Sequence, residues 1–479
     1  DTTALTNALT AASGKVLDGN NQSYKITSKI STSSENIVVQ NMTINTSATS
    51  GVFSDGFIEF AGTLGSAQTL TSNSQSVKLG QIVKIKSVDS ATQLTLYEEV
   101  LYAFNTSDTS TISPLTTKSN ITFRNVHFVG ADDTSNNQTA LNLKNCDNVV
   151  VDNCSFEYYS YTSVKLDRCI NSVITNTSSK FARKSGLSYG FVVHNGCYSV
   201  TIDNCYGEDH RHMVSVGDNE GINLFVRVAN CHIASARDAG IDSHSACDYM
   251  IIEGNTVEGI DDGTDGIIFQ GVSCTITNNI VVGNFSEGIR VQPLPNIGDG
   301  VVIVSGNFID FSGGGVLINS CNVSNNSFEG DMNYHIYVYN STGSENMQNI
   351  VISGNASSDN ATATGMYIRT ASGGGLYNIS ITGNIVRGSG DNGIYLQGAA
   401  SNEIRRVAIS GNVMTGFTRG VRATNVQDLM LSGNMNSCTN KALVATSSGV
   451  TLDQSQGVPE TITNSTYVVD DDSAYLIAN

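Results

Sequence analysis

The stretch DAGIDSHSACD, residues 238–248, brings Asp238, Asp242 and His244 close together in sequence. Carboxylates serve as general acid, base or nucleophile at a glycosidic bond, and a histidine takes up a proton near neutral pH. EDHRHMVSV (208–216) adds His210, Arg211 and His212 upstream; TDGIIFQ (264–270) and SEGIRVQ (286–292) add Asp265, Glu287, Arg290 and Gln292 downstream. Glycoside hydrolysis needs one protonated and one ionised carboxyl, and close carboxylates drive one pKa upward. The candidate catalytic set is therefore Asp238, Asp242, Asp265, Glu287 and His244, with Glu287 or Asp265 as acid and Asp238 or Asp242 as base. His210, Arg211, His212, Arg290 and Gln292, with His244, are candidates for holding sugar hydroxyls. Tyr337, Tyr367 and Tyr395 are candidates for stacking on sugar rings.

These residues are spread over many segments, so a regular scaffold must gather them. The segments resemble one another: VVVDNCSF (149–156), VTIDNCYG (200–207), MIIEGNTV (250–257), VIVSGNFI (302–309), ISITGNIV (379–386) and VAISGNVM (407–414). An asparagine recurs at 125, 153, 176, 204, 230, 255, 279, 307, 326, 355, 384, 412 and 434, a period of roughly 26 residues that falls in the range of solenoid repeats. A second strand repeats between them, as AGIDSH, DGIIFQ, EGIRVQ, TGMYIR and NGIYLQ. Short strands in one irregular repeat specify a right-handed parallel β-helix, with alternate residues entering a narrow core. In the second strand the residue after glycine goes inward (Ile241, Ile267, Ile289, Val316, Met366, Ile394). The next residue faces out (Asp242, Arg290, Tyr367, Tyr395). Asp331, Tyr334, His335, Tyr337 and Tyr339 are expected on the same outward edge, which reads as a groove for an extended glycan.

Composition agrees. The 479 residues include 46 glycines and 4 prolines, with no tryptophan, and β-branched residues dominate over helix formers. No apolar run is long enough to span a membrane. A formal charge of −18 disfavours nucleic acid; a neutral glycan, or an acidic one held by local cations, is compatible with it. The ten cysteines keep the repeat register and are read as buried free thiols of a chain folded in a reducing cytoplasm. His232 is read as a core or turn residue. The spacing in GIDDGTDG does not bring enough oxygens together for calcium, so no metal or cofactor is expected.

The expected division is an N-terminal cap helix with first strands (1–36), a first coil with a small β insertion at about 51–118 (37–120), a parallel β-helix (121–440) and a C-terminal β segment (441–479). Leu5, Ala8, Leu9 and Ala12 share one face of that helix. The chain opens on Asp1 rather than Met and its tail reads as cut short, as in a trimmed fragment.

An opening DTTALTNALTAASGKVLDG, then a small β insertion, then such coils, resembles bacteriophage tailspike depolymerases of the pectate-lyase-like parallel β-helix type. The arrangement HRHMVSVG…RDAGIDSH is similar to segments of related phage appendage proteins. The resemblance implies homotrimers on a virion tail, folded in the host cytoplasm, that bind and cut bacterial capsular or O-antigen polysaccharide, without nucleic acid or membrane partners. The attachment head domain usual in that family does not appear in this sequence.

Two other functions fit the same residues. GIDSH resembles the Asp-Pro-His motif of alginate epimerases and related lyases, with Ser243 in place of proline; His244 would then abstract a proton from a uronate, Arg211 or Arg290 would neutralise its carboxylate and a tyrosine would act as acid. The Asn-Thr-Asp, Gly-His-Gly and Arg-Ile-Lys signatures of polygalacturonases do not occur. A non-catalytic adhesin would keep the tyrosine groove and have no use for paired acids.

Overall fold

The computed structural model is all-β, a right-handed parallel β-solenoid of about ten turns. It describes residues 117–437 with only short breaks, together with parts of 5–115 and 441–469. Two compact units are present, residues 1–258 with 269–274, and residues 259–268 with 275–479.

In the first unit the strands Thr139–Lys144, Thr162–Asp167, Tyr189–His194, His212–Val216 and Ala239–Ser243 stack in parallel. Register aligns Leu141, Val164, Phe191, Val214 and Ile241, all of them buried. The alternate positions align Asn142, Lys165, Val192, Ser215 and Asp242 on the other face, as the period-2 pleat requires. Phe57–Thr63 pairs antiparallel with Lys78–Val83 and Thr111–Leu115, and Ile85–Ser90 with Gln93–Leu96. Ile82 and Leu115 of this β element pack against Ile170, and Lys84 reaches Asp147 at 3.4 Å. Of the segment 3–12, residues 5, 7, 8 and 11 are helical and Leu5 is buried; the rest lies outside the described residues.

The repeated asparagine is two columns, not one. Asn125, Asn153, Asn176, Asn204 and Asn230 occupy left-handed backbone at the turn, with φ of 50–54°, and Asn153 and Asn204 donate to Asn125 and Asn176 at 2.8 Å. The next residue turns inward and is Val126, Cys154, Thr177, Cys205 or Cys231, then Asn255. From Asn255 onward the left-handed position passes mostly to glycine and asparagine moves inward. Both types suit their places: asparagine and glycine tolerate positive φ, and a short buried side chain satisfies the backbone there. In the second unit the inner column is continuous, each asparagine amide bonding the side-chain oxygen of the next from Asn279 to Asn434 at 2.8–2.9 Å.

The cysteines at 146, 154, 169, 197, 205, 231, 247 and 274 are free and buried; Cys321 and Cys438 lie outside the described residues. In the second unit, register aligns Ile289, Val316, Ile336, Met366, Ile394 and Val421 inward, and Arg290, Leu317, Tyr337, Tyr367, Tyr395 and Arg422 outward. The parallel stack continues through Lys441–Leu452, past the point where the sequence repeat fades.

Candidate functional site

Chemistry-bearing side chains gather separately in each unit. In the first unit His212 stands in register with Tyr189, and the two rings stack at 5.6 Å. Its Nε2 lies 3.6 Å from Oδ2 of Asp238 and 3.6 Å from Oδ2 of Asp242. Nδ1 is 3.0 Å from the Ala239 carbonyl oxygen and 3.2 Å from the Ala239 amide nitrogen. If Nδ1 accepts from the amide, the neutral ring carries its proton on Nε2, toward both carboxylates; if Nδ1–H donates to the carbonyl, Nε2 faces them with its lone pair unless the ring is doubly protonated. The two carboxylate oxygens are then no farther apart than twice 3.6 Å, a bound that admits the retaining separation and the short end of the inverting one.

Asp242 also receives His244 Nε2 at 2.9 Å, and about a third of the His244 side chain is exposed. Arg211 donates to Asp238 at 2.9 Å, to the Gly186 carbonyl at 2.7 Å and to the Tyr189 hydroxyl at 3.3 Å. Burial alone would raise the Asp242 carboxyl, but His212, His244 and Arg211 together hold it below the usual carboxylate range. Burial lowers His212 and raises Tyr189.

In the second unit Glu287 is in register with Gly314, and Gly314 with Tyr334. Because position 314 has no side chain, the Tyr334 hydroxyl reaches across it to Glu287 at 2.5 Å. Glu287 lines a cleft of about 410 Å³ with Asn284, Ser286, Gly314, Asn333 and Tyr334. Burial pushes its carboxyl up, against the lowering effects of the Tyr334 hydrogen bond and Arg290. Tyr334 packs edge-on to Tyr337 at 5.0 Å. Tyr337, Tyr367 and Tyr395 then form a face-to-face ladder, 5.0 and 5.2 Å between ring centres and 6° from parallel. Asp265 is fully buried and holds Arg290 at 2.8 Å.

Several expectations change. Asp242 does sit on the face opposite Ile241, yet it is only 3% exposed, because His212 and His244 cover it. His210 is not a sugar ligand: it is buried, with Nε2 2.7 Å from Ser179 Oγ and Nδ1 2.8 Å from the Glu208 carbonyl. His212 is buried too, with Nε2 3.6 Å from each of two carboxylates. His335 is buried and stacks on Phe328 at 5.4 Å: it takes the place that Gly315 and Gly365 hold in the neighbouring coils, so it and Ile336 are buried in succession and the alternation is broken there. His232, read as a core or turn residue, opens the strand His232–Ala236, is half exposed and meets Glu258 at 2.9 Å. Of the two acids offered as proton donor, Asp265 is committed to a guanidinium. The rise at Glu287 comes from burial rather than from a neighbouring carboxylate. Gln292 is half-buried just beyond Val291.

Sequence reasoning missed Tyr189 and Gly314. The first announces itself only once YGFVVH is aligned with HMVSV. The second shows as GGGV standing where neighbouring coils carry a side chain ahead of the strand glycine.

Residues 189–348 match the model of the right-handed beta helix region. A capsule K1-specific depolymerase of Klebsiella phage K64-1 is 30% identical over 187 residues, 36% of this chain and 20% of that protein. The chain thus matches about a fifth of the length of that relative. The gp54 tailspike of Acinetobacter baumannii phage AP22, solved in complex with a capsular saccharide of that bacterium, superposes with a TM-score of 0.56 at 13% identity, over 86% of this chain and 70% of its own. The gp49 tailspike of Pseudomonas phage LKA1 gives 0.53 at 15% identity, over 87% and 76%. At such identities the likeness is one of fold. The chain is a right-handed parallel β-helix with the fold that phage tailspikes share.

Proposed function

We propose that this chain binds and degrades a bacterial surface polysaccharide by hydrolysis, with Glu287 as the general acid. The observation that carries this reading is the Glu287 site: a half-buried carboxyl, pushed up by burial, lining an open cleft beside the tyrosine ladder. A raised carboxyl is the form that can protonate a leaving oxygen, and stacked tyrosines present the flat amphipathic faces on which sugar rings lie. Within the same unit the second carboxyl is Asp265, which faces Arg290 at 2.8 Å. The capsule-specific relative supports the substrate class, and the tailspike fold supports a place on a phage tail acting at the bacterial surface; assembly as a homotrimer is part of the same proposal.

A second reading, β-elimination, is favoured by the first-unit cluster. His244 meets Asp242 at 2.9 Å and is about a third exposed, so it would be the base; Arg211 would face a uronate carboxylate, and Tyr189, whose hydroxyl accepts from Arg211 at 3.3 Å, would be the acid. A digest of purified capsular and O-antigen polysaccharides separates the readings. Products heavier by water than the in-chain repeat, without unsaturated-uronate absorbance, mean hydrolysis. Absorbing products of unchanged repeat mass mean elimination. Retention of a glycan without cleavage leaves an adhesin.

A further inference from the structure

Most arginines of the second unit that meet an acid are spent on it: Arg290 holds Asp265 at 2.8 Å and Arg419 holds Asp391 at 3.3 Å. Arg369 and Arg422 differ. Arg422 lies over the Tyr395 ring at 4.6 Å and Arg369 over Tyr339 at 5.5 Å. Arg369 also donates to the Tyr337 hydroxyl. Among the described residues neither makes an ion pair with a carboxylate, although the chain carries 43 acids against 25 lysines and arginines. Both belong to the tyrosine face: Arg422 follows Tyr395 in its column, and Arg369 follows Tyr339 in the column beside it.

Resting over an aromatic ring steadies a guanidinium while leaving N–H edges free for a planar anion. We infer that the tyrosine ladder takes a polysaccharide bearing carboxylates, and that Arg369 and Arg422 are the groups that bind them. This rests on the depolymerase reading and names its substrate class. A surface of net charge −18 repels a polyanion at long range, so local unpaired cations are what such a chain needs to be held. The two arginines stand two rungs apart, about 10 Å along the axis at the usual strand spacing. They therefore meet different residues of an extended glycan rather than one carboxylate. Gln397, in register with Arg369 and hydrogen-bonded to the Tyr367 hydroxyl, supplies a neutral polar group between them.

The test uses the full chain and a capsular polysaccharide that it retains or cuts, in native form and with its carboxyls chemically reduced to alcohols. Reduction should weaken binding at least tenfold. Arg369→Gln and Arg422→Gln should each weaken binding of the native glycan by roughly tenfold, the scale of one charge-assisted hydrogen bond, and leave the reduced glycan unaffected. Arg406→Gln, which removes the same charge from beside Tyr377, is the control and should change nothing. Equal binding of native and reduced forms, or a target whose charge is phosphate alone, overturns the inference while the depolymerase reading stands. If no glycan of the panel is bound or cut, both fall together.

Discussion

His335 sets an acid limit on the second unit. Its ring is 2% exposed and stacked on Phe328, and neither ring nitrogen has a hydrogen-bond partner among the described residues. Burial lowers it from 6.5 to about 4. A folded-state pKa below the unfolded value means that the unfolded chain binds the proton first. The stability tied to the neutral ring is therefore intact above about pH 6.5 and is lost as pH falls from there toward 4. Between pH 7.5 and 5.0 these two values give a loss of about 2 kcal/mol from this residue alone. His335→Leu removes the titration, keeps an apolar body over Phe328 and deletes two unsatisfied polar atoms. Urea unfolding midpoints, read by near-ultraviolet dichroism with refolding verified, should fall more steeply with acidification in the parent than in the variant, by about that 2 kcal/mol. Equal slopes for the two proteins would refute the argument. His210, lowered to about 4 by burial, should add an acid sensitivity of the same sign.

Glu287→Gln should cut turnover by a factor on the order of 10² to 10⁴ if Glu287 is the general acid, measured as reducing ends released, while His244→Gln should keep it within about tenfold; the opposite pattern would move the chemistry to the first unit. Tyr334→Phe removes a hydrogen bond that lowers Glu287, so the alkaline limb of the rate profile should move to higher pH. A Cβ at position 314 would stand 2.6 Å from Cζ of Tyr334 and against Glu287 Oε2; Gly314→Ala should therefore part the pair and lower turnover without the loss of glycan binding that Tyr367→Ala should bring. Asn355→Ala leaves the Asn326 amide, the Asn326 side chain and the Val323 carbonyl without their bonds to it. At about 1 kcal/mol or more per buried orphan, it should cost at least about 3 kcal/mol in the same unfolding assay.

The scaffold was legible because its cause is local and repeated. A strand in which Ile241, Ile289, Met366 and Ile394 each follow glycine admits one inward face, and register then places Tyr337, Tyr367 and Tyr395 in a column. The asparagine series misled by one residue, since both asparagine and glycine suit left-handed backbone while asparagine, cysteine and threonine all suit the buried place beside it. DNC and SGN therefore look like one motif with its asparagine fixed, when the turn has slid beneath it. His335 misled because alternation with Tyr337 and Tyr339 suggested an outward edge, whereas it stands at the strand-glycine position, level with Gly315 and Gly365, where the residue before the inward one is buried as well.

Which carboxyl is pushed up was not legible at all, because sequence gives the column and not the partner. Asp265 and Glu287 each precede the strand glycine, yet they differ in what reaches them. Asp265 is enclosed with Arg290, an arrangement that rewards its charge. Glu287 has an empty position beside it at Gly314, through which a phenol arrives instead of a cation, and burial outweighs the help that one hydroxyl gives its charged form. The same logic separates Asp242, where two imidazoles and a guanidinium outweigh a deeper burial. A solenoid repeats its backbone but not its neighbours, so acid character is decided by the side chain one rung away. For Glu287 that side chain acts across a glycine from two rungs away.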